Sequence, residues 1–399
     1  MLDIRKILNN VKGPFYADKR FILFVWMLLA SIAGFKHATR GVFNDYLIFK
    51  SVFYHTLEEV NLYLEYPELN GDSNHYGPVF SLVFAPFALL PDALGTVLWE
   101  LLMALVLFIA IYKLPIKWNA KVIIYYISLQ GVYANAVNSE TNTLVAAMII
   151  GCFILIRKEK DFWAACLIAL GTMIKLYGVV GFAFFFFSRH KAQLIFSFLF
   201  WSIVFFVLPM IISSPQFILQ SYVDWYESLV HKNSLNIMSL NQDISVMGLV
   251  RRISGNHQIG NLFILIPALV LFLLQYININ NYKDLKYQMG ILSSTLLFVV
   301  LFSTGSEPCT YIIAAVGAAI WFVLQARPYS RSTIILIACA VLIIFASSGI
   351  TPAFIRTDIV KRYALEALPY LIIWLVLIYQ QVTTRSVKVP VHSLDTDSK

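Results

Sequence analysis

Charge is what this sequence has least of. Only 13% of its 399 residues are Asp, Glu, Lys or Arg, which is about half the share found in soluble domains. Hydrophobic residues make up 59% and aromatic residues 15% of the chain. A soluble fold of this length could not cover its surface with so few charges. The composition therefore predicts a polytopic membrane protein, in which aromatic side chains are common at the membrane interface.

Cysteine and histidine show no pattern of a metal centre. The four cysteines have no CxxC spacing, and the seven histidines are scattered along the chain. The chain also lacks a Walker loop, GxSxG, HExxH and a GxGxxG after a strand. We predict neither a metal nor a cofactor. The net charge of +8 is explained by basic cytoplasmic loops near anionic lipid, so we predict no nucleic-acid partner.

Apolar runs recur to the C-terminus and predict an all-α membrane fold with about 12 transmembrane helices. Several runs are shorter than the roughly 20 residues that span a bilayer. Short helices that meet at polar turns are typical of a cavity open to one side of the membrane. The run 79–91 is rich in proline and predicts a re-entrant or interfacial helix. The predicted membrane helices lie at 21–35, 93–112, 122–136, 143–156, 162–174, 176–187, 192–212, 259–277, 287–302, 311–324, 332–350 and 363–382.

These helices predict one integral-membrane domain over residues 1–382, followed by a polar cytoplasmic tail at 383–399. With the N-terminus in the cytoplasm, the inside segments carry 20 of the 30 Lys and Arg residues, as the positive-inside rule requires. The two long polar loops, 36–78 and 213–258, then lie outside, together with the other polar clusters. We therefore expect a multi-pass protein of the cell (inner) membrane with a single extracytoplasmic site.

Asp45 lies just after the first predicted membrane helix, in a segment whose apolar residues recur at helical spacing. This pattern predicts an amphipathic helix on the membrane surface. Asn44 or Asp45 could simply cap that helix. Alternatively, the Asp45 carboxylate could act as a general base on an acceptor hydroxyl.

Two further clusters fall between apolar runs on the same side. Residues 138–142, Asn-Ser-Glu-Thr-Asn, form either a plain solvent loop or part of a site. Lys175 is an ionisable residue deep in an apolar stretch, which is a functional hypothesis by default. The alternative is that its ammonium group reaches to the membrane interface.

The remaining clusters have equally plain alternatives. Arg251 and Arg252 precede a membrane helix and could bind phosphate or simply anchor the helix at the interface. Glu307 could cap the next helix. The segment 58–78 combines carboxylates with tyrosines, which is typical of sugar-binding surfaces, although most of its acidic residues are better explained as a solvated loop. Tyr76 within it opens a turn before a proline-started helix.

Taken in order, these clusters resemble the motifs of bacterial glycosyltransferase family 87, a branch of the GT-C superfamily. The resemblance spans roughly residues 20–325. It is carried by Asn44-Asp45-Tyr46, Tyr76-Gly77-Pro78 with Leu89-Leu90-Pro91, Asn138 to Asn142, Ile174-Lys175-Leu176-Tyr177, and Asn241-Gln242-Asp243 with Gly248 to Arg252.

The chain departs from the family pattern at several of these positions. Gly77 and Gly178 stand where proline is usual. Glu140 replaces a glutamine, and Asp243 replaces a serine. The segment 306–311 lacks the histidine that the family often has there. No catalytic histidine is therefore carried over to this chain.

The resemblance implies a GT-C fold and transfer of a hexose, often mannose, from a polyprenyl-phosphate sugar to a lipid or glycan acceptor on the outer face. It implies inversion at the anomeric carbon with Asp45 as general base. Arg251, Arg252 and Lys175 become the expected partners of the leaving phosphate. The expected substrate-binding residues are Asn44, Tyr46, Tyr76, Asn138, Glu140, Asn142, Asn241, Gln242 and Glu307.

Two other functions share some of these features. A polymerase or ligase of lipid-linked glycans would also have many helices and an outer site for lipid phosphate, but the aspartate of the first loop favours a transferase. A transporter or flippase of a lipid-linked sugar would be expected to show an inverted repeat with broken helices. The sequence shows no such repeat.

Overall fold

The computed structural model describes residues 14–43, 45–67, 72–237, 239–349 and 351–383. Secondary structure within these residues is entirely helical, which agrees with the all-α prediction. In chain order, the α-helices are α1 (Lys19–Arg40), α2 (Asp45–Glu58), α3 (Phe80–Ala88), α4 (Asp92–Tyr112), α5 (Trp118–Ile127), α6 (Leu129–Val137), α7 (Asn142–Arg157), α8 (Asp161–Lys175), α9 (Lys191–Val207), α10 (Pro215–Asn236), α11 (Val246–Ser254), α12 (Asn261–Leu274), α13 (Leu285–Leu301), α14 (Tyr311–Val323), α15 (Arg331–Ala346) and α16 (Ala367–Thr383).

Three helices of the described residues are long and apolar enough to cross a membrane. They are α1, α4 and the segment Lys191–Ile211, which joins α9 to a short 3₁₀ turn. The other apolar helices have 10 to 17 residues. The prediction of a helical membrane protein is supported, whereas the number of about 12 crossings stays a prediction.

Each predicted membrane segment contains helical structure, but two of them differ in form. The segment 122–136 is divided between α5 and α6, which are separated at Ser128. The segment 176–187 is a 3₁₀ helix, Tyr177–Phe187, instead of an α-helix.

The 3₁₀ helix Tyr177–Phe187 packs closely against α8 through its glycines. In a 3₁₀ helix, side chains three residues apart lie on one face. Gly178, Gly181 and Phe184 have this spacing and are buried. A Cβ added to Gly178 would lie 2.2 Å from the backbone nitrogen of Thr172 in α8. The small residues therefore let this helix pack closely against its neighbour.

The main hydrophobic core is centred on α13 and α14. Every residue of α14 from Tyr311 to Trp321 is buried, and α13 is also buried on almost all sides. A helix that is apolar all round in this way belongs at the centre of a bundle. These helices form the rigid support behind the segment 302–310 that connects them.

A second, aromatic core connects α2, α3 and α4. The Phe49 ring centroid lies 5.0 Å from that of Phe80, and the Phe84 centroid lies 4.8 Å from that of Trp99. These edge-on contacts each stabilise the packing beyond simple burial. Helix α2 is amphipathic as predicted, but its apolar face packs against α3 and α4. Its predicted position on the membrane surface stays a prediction, and the packing fixes where α2 begins.

Candidate active site

A cavity of about 550 Å³ opens where the polar loops meet the helix ends. Its walls come from the start of α2, the loop 72–76, the turn before α7, the end of α8, α10 and the segment 303–307. Its volume falls within the range of ordinary ligand pockets. The cavity therefore gathers segments that are far apart in the sequence.

Asp45 is the first residue of α2 and lines this cavity. The next residue, Tyr46, is fully buried, and its hydroxyl donates a hydrogen bond to the Phe87 carbonyl at 2.9 Å. This contact fixes the first turn of α2. Burial, the largest effect, raises the pKa of the Asp45 carboxyl, and the nearby carboxyls of Glu140 and Glu307 raise it further. A raised pKa makes a carboxylate a stronger base.

The turn that precedes α7 places Glu140 at the cavity. Ser139 has a φ of 58°, which is unusual for a residue with a side chain. The indole nitrogen of Trp99 donates to the Ser139 carbonyl at 3.1 Å, and the Asn135 amide donates to the Glu140 carbonyl at 2.7 Å. The turn is therefore fixed by buried side chains on both sides.

Tyr76, Glu140 and Lys175 form a connected polar group in the cavity wall. The Tyr76 hydroxyl lies 2.9 Å from the Thr141 hydroxyl and donates to the Glu140 carboxylate at 3.3 Å. The Lys175 ammonium lies 3.6 Å from the same carboxylate and 3.5 Å from the Tyr76 hydroxyl. An ammonium group has three hydrogens, so Lys175 can also donate to a bound substrate.

Gly77 explains one departure from the family pattern. Its backbone N–H donates to the Ile174 carbonyl at 3.0 Å, and a proline has no such donor. A Cβ at this position would lie 2.0 Å from the Met173 carbonyl oxygen. Glycine therefore lets the loop that carries Tyr76 approach the end of α8, next to Lys175.

Glu307 faces the cavity from the segment between α13 and α14. The Gln242 side chain donates to its carboxylate at 3.1 Å, and the Cys309 thiol donates at 3.7 Å. Burial, the largest effect, raises the pKa of Glu307 to about 7, with a further contribution from the Glu140 charge.

Among the described residues, Glu140, Glu307 and Cys309 form a group that could hold a metal ion. One ligand atom from each lies within 4.8 Å of the others. The Lys175 ammonium already supplies positive charge beside Glu140. A thiolate or carboxylate group of this kind needs further ligands to define a metal geometry, and we assign no metal to it.

Sequence reasoning placed Asp72 and His75 in polar outer segments but missed Lys232, with which they form a second polar group in the cavity wall. The Lys232 ammonium lies 3.1 Å from the Asp72 carboxylate. The His75 ring nitrogen Nδ1 lies 2.9 Å from the Ser228 hydroxyl, and the Trp225 indole donates to the His75 carbonyl at 2.9 Å. Burial lowers the pKa of His75. The signals in the sequence were the acidic and tyrosine-rich segment 58–78, which contains Asp72, and a lysine among outer segments that have few basic residues.

The structure places Arg251 away from the cavity. Its guanidinium lies 2.6 Å from the Asp243 carboxylate, and both side chains are fully buried. The other nitrogens donate to the Ile259 carbonyl and to Asn261. The prediction that Arg251 binds the donor phosphate finds no geometric support, because the protein already satisfies this guanidinium. Asp243, at the position where the resemblance gives serine, is the buried partner of Arg251.

Arg252 also makes its contacts within the protein. It donates to the carbonyls of Lys361, Ser239 and Gln242 at 2.5 to 2.9 Å. These bonds hold the segment from which the Gln242 side chain reaches Glu307. Arg252 lies outside the cavity, so the predicted contact with phosphate finds no geometric support here either. Asn241 accepts a hydrogen bond from the Lys361 ammonium at 2.7 Å and does not line the cavity.

Three other predicted substrate-binding residues do not reach the cavity or cannot be placed. Tyr46 lies in the aromatic core, as described above. Asn142 is fully buried at the start of α7, where its side-chain atoms have no hydrogen-bond partner among the described residues. Asn44 lies outside the described residues.

The structure thus brings together about half of the residues that the sequence singled out. The residues at the cavity are Asp45, Tyr76, Asn138, Glu140, Lys175, Gln242 and Glu307. They come from six separate stretches of the chain. Their convergence gives one pocket with a carboxylate of raised pKa and a nearby ammonium group.

The sequence model of glycosyltransferase family 87 matches residues 74–348 of this chain. This match covers well over half of the chain, which therefore belongs to glycosyltransferase family 87 and is a glycosyltransferase. No curated protein matches the chain. Asp45 lies before the matched residues, so its place at the site rests on the cavity geometry alone.

Proposed function

We propose that this membrane glycosyltransferase transfers mannose from a polyprenyl-phosphate sugar to the hydroxyl of a lipid or glycan acceptor, with inversion. The observation that carries the proposal is the convergence of Asp45 and Lys175 on one cavity. Family membership supplies the class of reaction. The donor, the sugar and the acceptor class follow from the family resemblance.

The reaction uses the two charged groups in separate roles. The Asp45 carboxylate takes the proton from the acceptor hydroxyl. The acceptor oxygen attacks the anomeric carbon from the side opposite the phosphate, and a new glycosidic bond forms. The bond between the anomeric carbon and the phosphate oxygen breaks, and the lipid phosphate leaves with the electron pair. Asp45 then releases its proton to water.

The leaving phosphate gains negative charge and needs positive groups nearby. Lys175 and Lys232 are the lysines among the described residues that line the cavity. Each is already paired with a carboxylate, at 3.6 Å from Glu140 and 3.1 Å from Asp72. We assign the phosphate contact to these two lysines, in place of the buried Arg251 and Arg252.

The proposal places this cavity on the extracytoplasmic side of the cell membrane. The supporting observation is the distribution of basic residues, because 20 of the 30 Lys and Arg residues fall in the segments assigned to the inside. The cavity lining comes from the loops assigned to the outside. A lipid-linked donor and acceptor would reach these loops from the membrane.

The decisive experiment replaces Asp45 with asparagine in the purified protein. Transfer is measured from a panel of radiolabelled polyprenyl-phosphate sugars, including mannose, glucose and galactose. Loss of a general base lowers the rate by about 10²–10⁴-fold, and we expect this loss for Asp45→Asn with mannose as the preferred sugar of the wild type.

Glu58→Gln is the matched control, because Glu58 lies at the other end of the same helix and is exposed. It should retain wild-type transfer. A folded Asp45→Asn protein with near-normal transfer would refute the role of Asp45. A wild-type protein that uses another sugar of the panel in preference would refute the assignment of mannose.

A further inference from the structure

Helix α10 (Pro215–Asn236) presents three different faces, and one of them packs against the loop at the cavity. One face lines the cavity and contacts the loop 72–76 through Trp225, Ser228 and Lys232. A second face carries exposed polar residues, such as Gln220 and Glu227. The third face is apolar and exposed.

The apolar face is a narrow stripe along the helix. Its residues are spaced by four, three and four positions, which places them on one side of an α-helix. They are 49% to 69% exposed. The stripe consists of Leu219, Val223, Tyr226 and Val230. Such a continuous apolar surface in water would be costly and marks a site of contact with a partner or a membrane.

Apolar surface continues beyond both ends of α10. Before it, the membrane-crossing segment Lys191–Ile211 ends at Ile211, which is 75% exposed. After it, α12 begins with the strongly exposed Leu262 and Phe263. The Asn261 amide at the start of α12 donates to Asn233 of α10 at 3.2 Å. The stripe therefore lies between the end of one helix that is long and apolar enough to cross a membrane and the exposed start of a second apolar helix.

We propose that α10 lies in the plane of the membrane surface, with this stripe buried at the boundary between lipid headgroups and acyl chains. A helix with one apolar stripe, one polar face and low overall hydrophobicity is suited to this position. Tyr226 fits the same boundary, where tyrosine places its ring in lipid and its hydroxyl in water. The helix that forms one wall of the cavity is then anchored in the bilayer.

Site-directed spin labelling in lipid nanodiscs tests the proposal without any measurement of sugar transfer. Single cysteines at Val223 and Tyr226 sample the stripe, and Glu227→Cys and Gln220→Cys sample the polar face. The background carries Cys166→Ser and Cys339→Ser, because these two native cysteines are not buried. All four test positions are exposed, so the substitutions should leave the fold intact.

The readout is the collision rate of each label with oxygen, which dissolves in acyl chains, and with a water-soluble nickel chelate. We expect nickel collisions at 223 and 226 to be about fivefold or more below those at 227, with high oxygen collisions. Equal nickel collisions at all four positions would place the stripe in water and overturn the proposal. Low collisions with both reagents at the stripe would show a protein partner, such as a second copy, and would also overturn it.

Discussion

The ion pair of Asp243 with Arg251 and the ion pair of Glu140 with Lys175 both lie next to helix ends, but their surroundings differ. In the first pair, the charged atoms are 2.6 Å apart and both side chains are fully buried. In the second, they are 3.6 Å apart, and the side chains are 11% and 25% exposed at the cavity. The buried pair is satisfied by the protein, whereas the cavity pair keeps hydrogen-bonding capacity for a substrate.

This difference separates structural charges from functional ones. Each of the three nitrogens of the Arg251 guanidinium donates a hydrogen bond to a protein oxygen. The Arg251 guanidinium holds Asp243 and thereby stabilises the loop 239–245. The backbone N–H groups of Asp243 and Ile244 in this loop also donate hydrogen bonds to the carbonyls of Thr304 and Ser306. The Lys175 ammonium faces the pocket that contains Asp45. Removal of the Arg251 charge should therefore lower stability, whereas removal of the Lys175 charge should lower the rate of transfer.

The largest effect is expected for Arg251→Gln on stability. This change leaves the Asp243 carboxylate buried without its ion pair, which typically costs about 3–5 kcal/mol. Thermal unfolding of the purified protein measures the loss. Arg362→Gln is the control, because Arg362 is exposed, and its unfolding should match the wild type. An Arg251→Gln protein of normal stability and weakened donor use would return Arg251 to the phosphate site.

The next effect is expected for Lys175→Gln on catalysis. Removing one group that stabilises developing charge lowers the rate by about 10²–10³-fold. The measurement is transfer per folded molecule from polyprenyl-phosphate mannose. Lys50→Gln is the matched control. The Lys50 ammonium lies 2.5 Å from the Asp92 carboxylate, and neither residue lines the cavity. Equal transfer by the two variants would contradict the functional role of the cavity pair.

The smallest effect concerns pH. Transfer requires ionised Asp45, so the rate falls as the pH drops through its raised pKa. The Glu307 charge contributes to that raised pKa. Glu307→Gln should therefore move the acidic limb of the kcat/KM profile to lower pH, by less than about one unit. The Glu58→Gln profile should stay unchanged, and a shift to higher pH in Glu307→Gln would contradict this assignment.

Helix positions could be predicted well because they depend on local patterns. The expected helix 93–112 corresponds to Asp92–Tyr112, where a proline precedes a long apolar run. The separation of α5 from α6 at Ser128 could not be predicted, because no proline or glycine marks it. The number of crossings is also beyond a local pattern, since short apolar helices can span, re-enter or lie in a core.

Site residues could be predicted where the local sequence marks them and not where their role depends on a partner far away in the chain. Asp45, Glu140 and Lys175 stood out because each is a polar residue beside an apolar run. Lys232 was missed because its partner, Asp72, lies 160 residues away in the chain. The prediction that Arg251 binds phosphate failed for a related reason. The sequence shows two adjacent arginines but does not show that Arg251 forms a buried ion pair with Asp243 in the fold.

The close approach of Gly77 to the end of α8 has a consequence for related sequences. A chain with proline at position 77 loses the N–H donor to residue 174 and adds atoms where the carbonyl of residue 173 now lies. Such a chain must separate these two segments. We therefore expect Gly77→Pro to displace the end of α8 and, with it, the Lys175 ammonium in the cavity wall.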